Sequence, residues 1–164
     1  MQKKTDGKEL LDVGCGTGNH LIYLQDEFNC TGIDLHNNML NIARKKLKKK
    51  VKLIQGNMLT FNLKKEFDII ISIYSVVSYS KNYTELKKVL KKFYNHLKKG
   101  GVCIIEPYFT IKVYKNYSGK NKVEGLLMTE IGKWSKVMRE AGFKTKYYYR
   151  GLNQSAKGLF ILTK

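Results

Sequence analysis

The stretch LLDVGCGTGNH, Leu10 to His20, constrains this chain more than any other. A short apolar run, Glu9–Val13, ends in Gly14, Gly16 and Gly18 just before a segment with helical apolar spacing. Glycine lets a backbone turn tightly and lets a ligand approach it closely. The spacing is G-x-G-x-G, whereas the dinucleotide fingerprint is G-x-G-x-x-G, and no G-K-[ST] follows as a phosphate-cradling P-loop requires. Asp12 sits inside the apolar strand end, where a buried carboxylate needs a partner or a cationic ligand.

The rest of the chain alternates strand and helix. Thr17–Phe28 reads as a helix with Leu21, Ile22 and Leu24 inward, and Cys30–Asp34 as the second strand. Asn38–Lys49 reads as a helix that places Met39, Ala43 and Leu47 on one face, followed by a strand over Val51–Gln55. Phe67–Tyr74 is nearly all apolar and β-branched, as a strand covered on both faces should be. Tyr83–Lys98 is amphipathic and is expected to stop at Gly100-Gly101, and Val102–Glu106 is the fifth strand. Thr129 is expected to cap a helix through Ala141, and Phe143–Arg150 and Gly158–Thr163 to close the sheet. Such alternation predicts an α/β fold with a mostly parallel, doubly wound sheet, and no linker divides residues 1–164, so one domain is expected. Ligands in such sheets bind outside the carboxyl ends of the strands.

Two further strand ends suit a nucleoside. Asp34 closes the second strand, 22 residues beyond Asp12, where an acid can accept both ribose hydroxyls or, alternatively, cap the next helix. Asn57 and Met58 follow the third strand, where an amide can address an adenine edge and a thioether its face.

Together LLDVGCGTGNH, GIDLHNNML, GNM, FDIIISIYSVVSY and LKKGGVCIIEP resemble class I S-adenosylmethionine-dependent methyltransferases, from about Glu9 onward. CGTGNHL, YSVVSY, IEPYF and KGLFIL carry a closer likeness to amino-sugar N,N-dimethyltransferases. The resemblance implies a Rossmann-like seven-stranded sheet of order 3-2-1-4-5-7-6 with the last strand antiparallel. It implies S-adenosylmethionine as cofactor and S-adenosylhomocysteine as product. Gly14 and Gly16, with Cys15 and Gly18 in the same loop, would lie beside the methionine part, and Asp12 would face its ammonium. Asp34 would hold the ribose, Asn57 and Met58 the adenine, and the backbone around Ile73, Tyr74 and Ser75 the methionine end, with Leu35 and Met39 as further cofactor contacts.

The acceptor is expected to be a small-molecule amine. Tyr74, Tyr79, Glu106 and Tyr108 lie at the ends of strands four and five, where catalytic groups belong. Tyrosine faces favour cations, and Glu106 could bind an ammonium, take its proton, or simply pair with a lysine. His20 reads as structural, and neither His36 nor His96 is placed as a base. Residues 108–128 are expected to form a lid or acceptor segment.

The net charge of +18 raises a nucleic-acid alternative, but only Arg44, Arg139 and Arg150 are arginines, and base readout favours arginine. Enzymes that methylate exocyclic base amines carry N-P-P-Y or D-P-P-Y after strand four; here that place reads SIYSVV, and Pro107 is the only proline. No sequence-specific nucleic-acid partner is therefore expected. RNA or other macromolecule methylation, or non-catalytic cofactor binding, stands as the alternative. The start MQKKTDGKEL has no apolar stretch after its charges, so no secretory signal is expected, and no apolar run nears the roughly 20 residues of a membrane span. Cys15, Cys30 and Cys103 have no metal-ligand spacing and read as reduced thiols, so a cytoplasmic monomer or homodimer without metal is expected.

Overall fold

The computed structural model describes residues 8–108, 127, 130–149 and 158–164. The elements run β1 (Glu9–Val13), α1 (Leu21–Leu24), β2 (Asn29–Asp34), α2 (Asn37–Lys46), β3 (Lys52–Gln55), β4 (Phe67–Ser72), a 3-10 turn (Val76–Tyr79), α3 (Tyr83–His96), β5 (Leu97–Ile105), α4 (Ile131–Glu140), β6 (Lys144–Tyr149) and β7 (Gly158–Thr163). They build a seven-stranded sheet of order β3-β2-β1-β4-β5-β7-β6. The first five strands run parallel, while β7 is antiparallel to both β5 and β6. The expected α/β architecture and strand order are those observed.

Side chains on β1 alternate between two cores, as the two-residue period of a strand requires. Leu11 and Val13 join Leu86, Leu90 and Phe93 of α3 and Trp134 and Met138 of α4 on one face. Leu10 joins Leu21 of α1 and Leu40 and Ala43 of α2 on the other. Asp12 shares the period of Leu10, so its carboxylate falls on the side of the chain segment that leads into α1.

Several boundaries differ from expectation. The first helix is four residues long, not Thr17–Phe28. Gly18 stands at φ +77°, outside the right-handed helical region, so the helix cannot begin upstream of it. Beyond Leu24 the chain continues as turns, with the Glu27 and Phe28 amides both donating to the Leu24 carbonyl, while the Gln25 side chain donates to the Ile22 carbonyl and accepts from the Lys48 amide. On α2, Leu40, Ala43 and Leu47 are buried while Met39 is exposed, so the inward face is rotated from the expected one. The glycine pair does not stop α3. The helix ends at His96, whose ring nitrogens meet the Lys92 carbonyl and the Leu63 amide. Gly100 and Gly101 fall instead inside β5, where the register against β4 shifts between Phe67 and Ile69. Strand β4 stops at Ser72 rather than Tyr74, because Tyr74 and Ser75 turn into the left-handed region. Glu130 occupies the N-cap position of α4 without a capping bond, and Thr129 lies outside the described residues. Most of the 108–128 segment, expected as a lid, also lies outside them.

Candidate active site at the carboxyl ends of the strands

The glycine loop hangs on the end of β2: Gly14 and Cys15 amides both donate to the Ile33 carbonyl, at 2.8 and 3.0 Å. Gly14 has φ +79°, and a Cβ there would come within 2.5 Å of the Val76 side chain, so both conformation and packing require glycine. Gly16 has φ +53°, and a Cβ there would meet nothing within 4 Å; this part of the loop faces open space. Gly18 packs the other way, against Leu47 and Ala43 of α2.

Asp34 locks this loop to its own strand end. Its Oδ2 accepts from Gly16 N at 2.8 Å and its Oδ1 from His36 N at 2.9 Å. A carboxylate has about four lone-pair sites, so two remain for ligand hydroxyls. The helix-capping alternative is not what the geometry shows: the N-cap position of α2 is His36, and no side chain caps it.

A cavity of about 470 Å³ opens here. Among the expected cofactor residues, Gly14, Asp34, Leu35, Asn57 and Met58 line it, and so does Tyr79, expected at the acceptor. His36, Gly56, Leu59, Val76, Lys81 and Glu85 also line it and were not anticipated. Asn57 spends its Oδ1 on the Leu59 amide at 2.8 Å, the local turn that brings Met58 to the wall. The lining does not include Asp12, Cys15, Gly16, Gly18, Met39, Ile73 or Tyr74. Cys15 is buried beneath the loop, where burial and the nearby Asp12 and Asp34 carboxylates push its thiol well above the usual range.

Asp12 is 1% exposed, and its Oδ2 has no hydrogen-bond partner. Burial first, and the Asp34 charge second, push its carboxyl up from 3.8 to about 7. A buried carboxyl left in this state suits a cation arriving from outside. His20 Nδ1 is the nearest basic group, 3.9 Å from Asp12 Oδ2.

On the other side of the loop, the ends of β4 and β5 are tied together. Glu106 Oε2 accepts from Tyr74 N at 2.9 Å, and the Glu106 carbonyl accepts from Ser75 N at 3.0 Å. Tyr74 and Tyr79 are both exposed. Tyr108 is half-buried and its amide donates to Ser78 Oγ at 2.9 Å. The structure thus distributes the four expected catalytic residues: Glu106 holds the Tyr74 amide across the β4 and β5 ends, Tyr108 is anchored through Ser78 to the 3-10 turn, and Tyr79 of that turn lies on the cavity. Among the described residues no cluster of three His, Cys, Asp or Glu side chains has metal-holding geometry, and no helix is long and apolar enough to cross a membrane.

A parallel sheet with an antiparallel β7, a glycine loop after β1 and an acid at the end of β2 define a Rossmann-like protein of the methyltransferase type. A family model described as a methyltransferase domain matches residues 10–101, and the chain belongs to that family. The chain is 41% identical over 105 residues to the dTDP-3-amino-3,4,6-trideoxy-alpha-D-glucopyranose N,N-dimethyltransferase of Streptomyces venezuelae, covering 63% of this chain and 44% of that protein. It is 32% identical over 146 residues to the dTDP-3-amino-3,6-dideoxy-alpha-D-glucopyranose N,N-dimethyltransferase of Streptomyces fradiae, covering 87% and 57% respectively. The matches thus span about half the length of these curated relatives. The crystal structure of DesVI from Streptomyces venezuelae superposes with a TM-score of 0.85 at 26% identity, covering 96% of this chain and 84% of that one.

Proposed function

We propose that this protein, working as one domain, transfers a methyl group from S-adenosylmethionine to the amine of a small molecule. The observation that supports this most directly is the cavity lined by Gly14, Asp34, Asn57 and Met58, with the Asp34 carboxylate also holding the Gly16 amide of the glycine loop. The family match and the amino-sugar acceptors named for the two relatives support the reaction class.

The residues fit the cofactor. The orphaned Oδ2 of Asp12 suits the methionine ammonium, and the open side of Gly16 leaves room for the methionine chain. Asp34 retains two acceptor sites for the ribose hydroxyls. Leu35, Asn57 and Met58 offer an apolar and amide wall for adenine, while Ile73 and Tyr74 border the methionine end. Cys15 and Gly18 act through loop packing, and Met39 stands at the outer margin. S-adenosylmethionine supplies an activated methyl group, so the protein's task is position and exclusion of water. Orientation alone is worth roughly 7–11 kcal/mol of barrier. Glu106 supplies negative charge at the β5 end, and Tyr74 and Tyr108 supply aromatic faces, which together favour an ammonium-bearing acceptor. Three buried free cysteines support a reducing, cytoplasmic setting.

Calorimetry tests the cofactor: S-adenosylmethionine and S-adenosylhomocysteine should bind, and NAD should not. Release of S-adenosylhomocysteine in the presence of amines, hydroxyl compounds or RNA tests the acceptor. Failure to bind S-adenosylmethionine, or turnover confined to RNA, would overturn the proposal.

A further inference from the structure

Three strand ends bring together side chains that the cofactor cavity does not use. His20 immediately precedes α1, Tyr74 follows β4 and Glu106 follows β5. The His20 and Tyr74 rings stack, with centroids 5.1 Å apart and planes 28° from parallel. Asp12 lies behind the imidazole, with its Oδ2 3.9 Å from Nδ1, too far for a hydrogen bond but well within charge range. The Glu106 carboxylate acts on His20 from the third strand end. His20 is 31% exposed, so its ring is walled on these sides and still reachable.

The turn that carries Tyr74 is held in an uncommon state. Tyr74 has φ 55° and Ser75 φ 64°, both in the left-handed region that non-glycine residues rarely adopt. The two Glu106 bonds to the Tyr74 and Ser75 amides hold that turn in place. Strain of this kind persists where surrounding structure over-determines it, and it clusters at functional sites. Here its effect is to set an aromatic ring against His20 and to keep the Glu106 carboxylate beside both.

We propose, on the methyl-transfer reading above, that His20 is the catalytic base that deprotonates the acceptor amine. Glu106 draws the ammonium to the mouth of the site. One N–H bond of the ammonium breaks with its electron pair remaining on nitrogen, and the proton passes to the free imidazole nitrogen of His20. The products of this step are a neutral amine with a lone pair and an imidazolium; the proton then leaves His20 for water. The groups that face the ring are Asp12 from β1, Tyr74 beyond β4 and Glu106 beyond β5, two of them carboxyls that favour the imidazolium once it forms. Burial holds His20 below its ordinary value of 6.5, against the opposing pull of Glu106, so the ring is unprotonated and able to accept at neutral pH.

The test uses the whole protein, S-adenosylmethionine and dTDP-3-amino-3,4,6-trideoxy-alpha-D-glucopyranose, the sugar in the name of the Streptomyces venezuelae relative. His20→Gln and His20→Asn should each lower kcat at pH 7 about 100-fold or more, the usual share of a general base. Calorimetric affinity for S-adenosylmethionine should stay within about threefold of wild type, and urea unfolding should show both variants folded. The loss should shrink toward pH 9–10, where the amine is already neutral. The NMR titration midpoint of the His20 ring in the free protein should coincide with the acid-side inflection of kcat/KM, and that inflection should vanish in both variants. A purely structural histidine would give a loss that is constant with pH, and that result overturns the proposal, as does wild-type kcat in both variants. If wild type binds S-adenosylmethionine but methylates none of the amines tried, the amine reading itself fails and the role of His20 falls with it.

Discussion

Replacing Asp12 by asparagine should make the stability of the ligand-free protein less dependent on pH. In the folded chain this carboxyl titrates at about 7, and in the unfolded chain near 3.8. Between these values the folded state holds a proton that the unfolded state has shed. The resulting stabilisation is complete below the unfolded value and is lost as pH rises through 7. A gap of about three pH units is worth about 4 kcal/mol in all, at 1.36 kcal/mol per unit. From pH 6 to pH 8 a group with this midpoint gives up about 1.4 kcal/mol. Asparagine has no proton to lose, and its own packing and amide costs are the same at both pH values. Urea unfolding of both proteins at pH 6 and pH 8 isolates the effect: the gap between wild type and Asp12→Asn should move by about 1.4 kcal/mol in favour of the variant at pH 8. Burial holds His20 below its usual value in both proteins, so its own titration is common to the two and largely drops out of the gap between them. A gap equal at both pH values would show that Asp12 is already ionised or already paired, and the argument for a cation-seeking carboxyl would fail. Saturating S-adenosylmethionine should in turn reduce the effect, since its ammonium would compensate the ionised form.

Three further outcomes follow from the same geometry. Asp34→Ala should weaken S-adenosylmethionine binding by roughly 1–3 kcal/mol in calorimetry, the cost of leaving polar partners unpaired; a lowered melting temperature with unchanged affinity would make Asp34 only a strut for the Gly16 and His36 amides. Gly14→Ala should destabilise by roughly 2–5 kcal/mol in urea unfolding, from its left-handed backbone and the contact with Val76 together, and a variant as stable as wild type would refute the packing argument. Glu106→Gln and Tyr108→Phe should lower amine turnover while leaving cofactor affinity nearly intact; wild-type rates in both would move the acceptor site away from the β5 end.

The parts of this fold visible in the sequence were those with local or periodic signals. The alternation of apolar runs located every strand, and the position of Asp34 at the end of one marked it as a candidate ligand acid without reference to any partner. Asp12 was legible for the same reason: a carboxylate inside an apolar strand end is anomalous wherever it occurs. The length of the first helix was not legible, because Leu21, Ile22 and Leu24 fit a helical face whether or not the flanking turns continue it. Its start is barred upstream by the left-handed backbone of Gly18, and beyond it Gln25 is tied to Lys48, a residue 23 positions away. Met39 was misplaced by one step of the helix, since Leu40 fits the same inward stripe. The assembly of His20, Tyr74 and Glu106 was least visible. Each residue alone has an ordinary packing role, and the link between Tyr74 and Glu106 spans 32 positions and uses a backbone amide that side-chain identity does not encode.

Strand β7 follows β6 along the chain yet lies between β5 and β6 in the sheet. During synthesis β6 therefore emerges before β7, the strand it pairs with among the described residues, and that pairing must wait until residues 150–157 and then β7 appear. Until that moment the far edge of β5, with Val102, Cys103, Ile104 and Ile105, presents unpaired backbone to its surroundings. An exposed apolar edge of that kind is a template for pairing with another chain. The parallel half of the sheet, β3-β2-β1-β4-β5, can assemble first, and its protection from aggregation then depends on the late insertion of one six-residue strand.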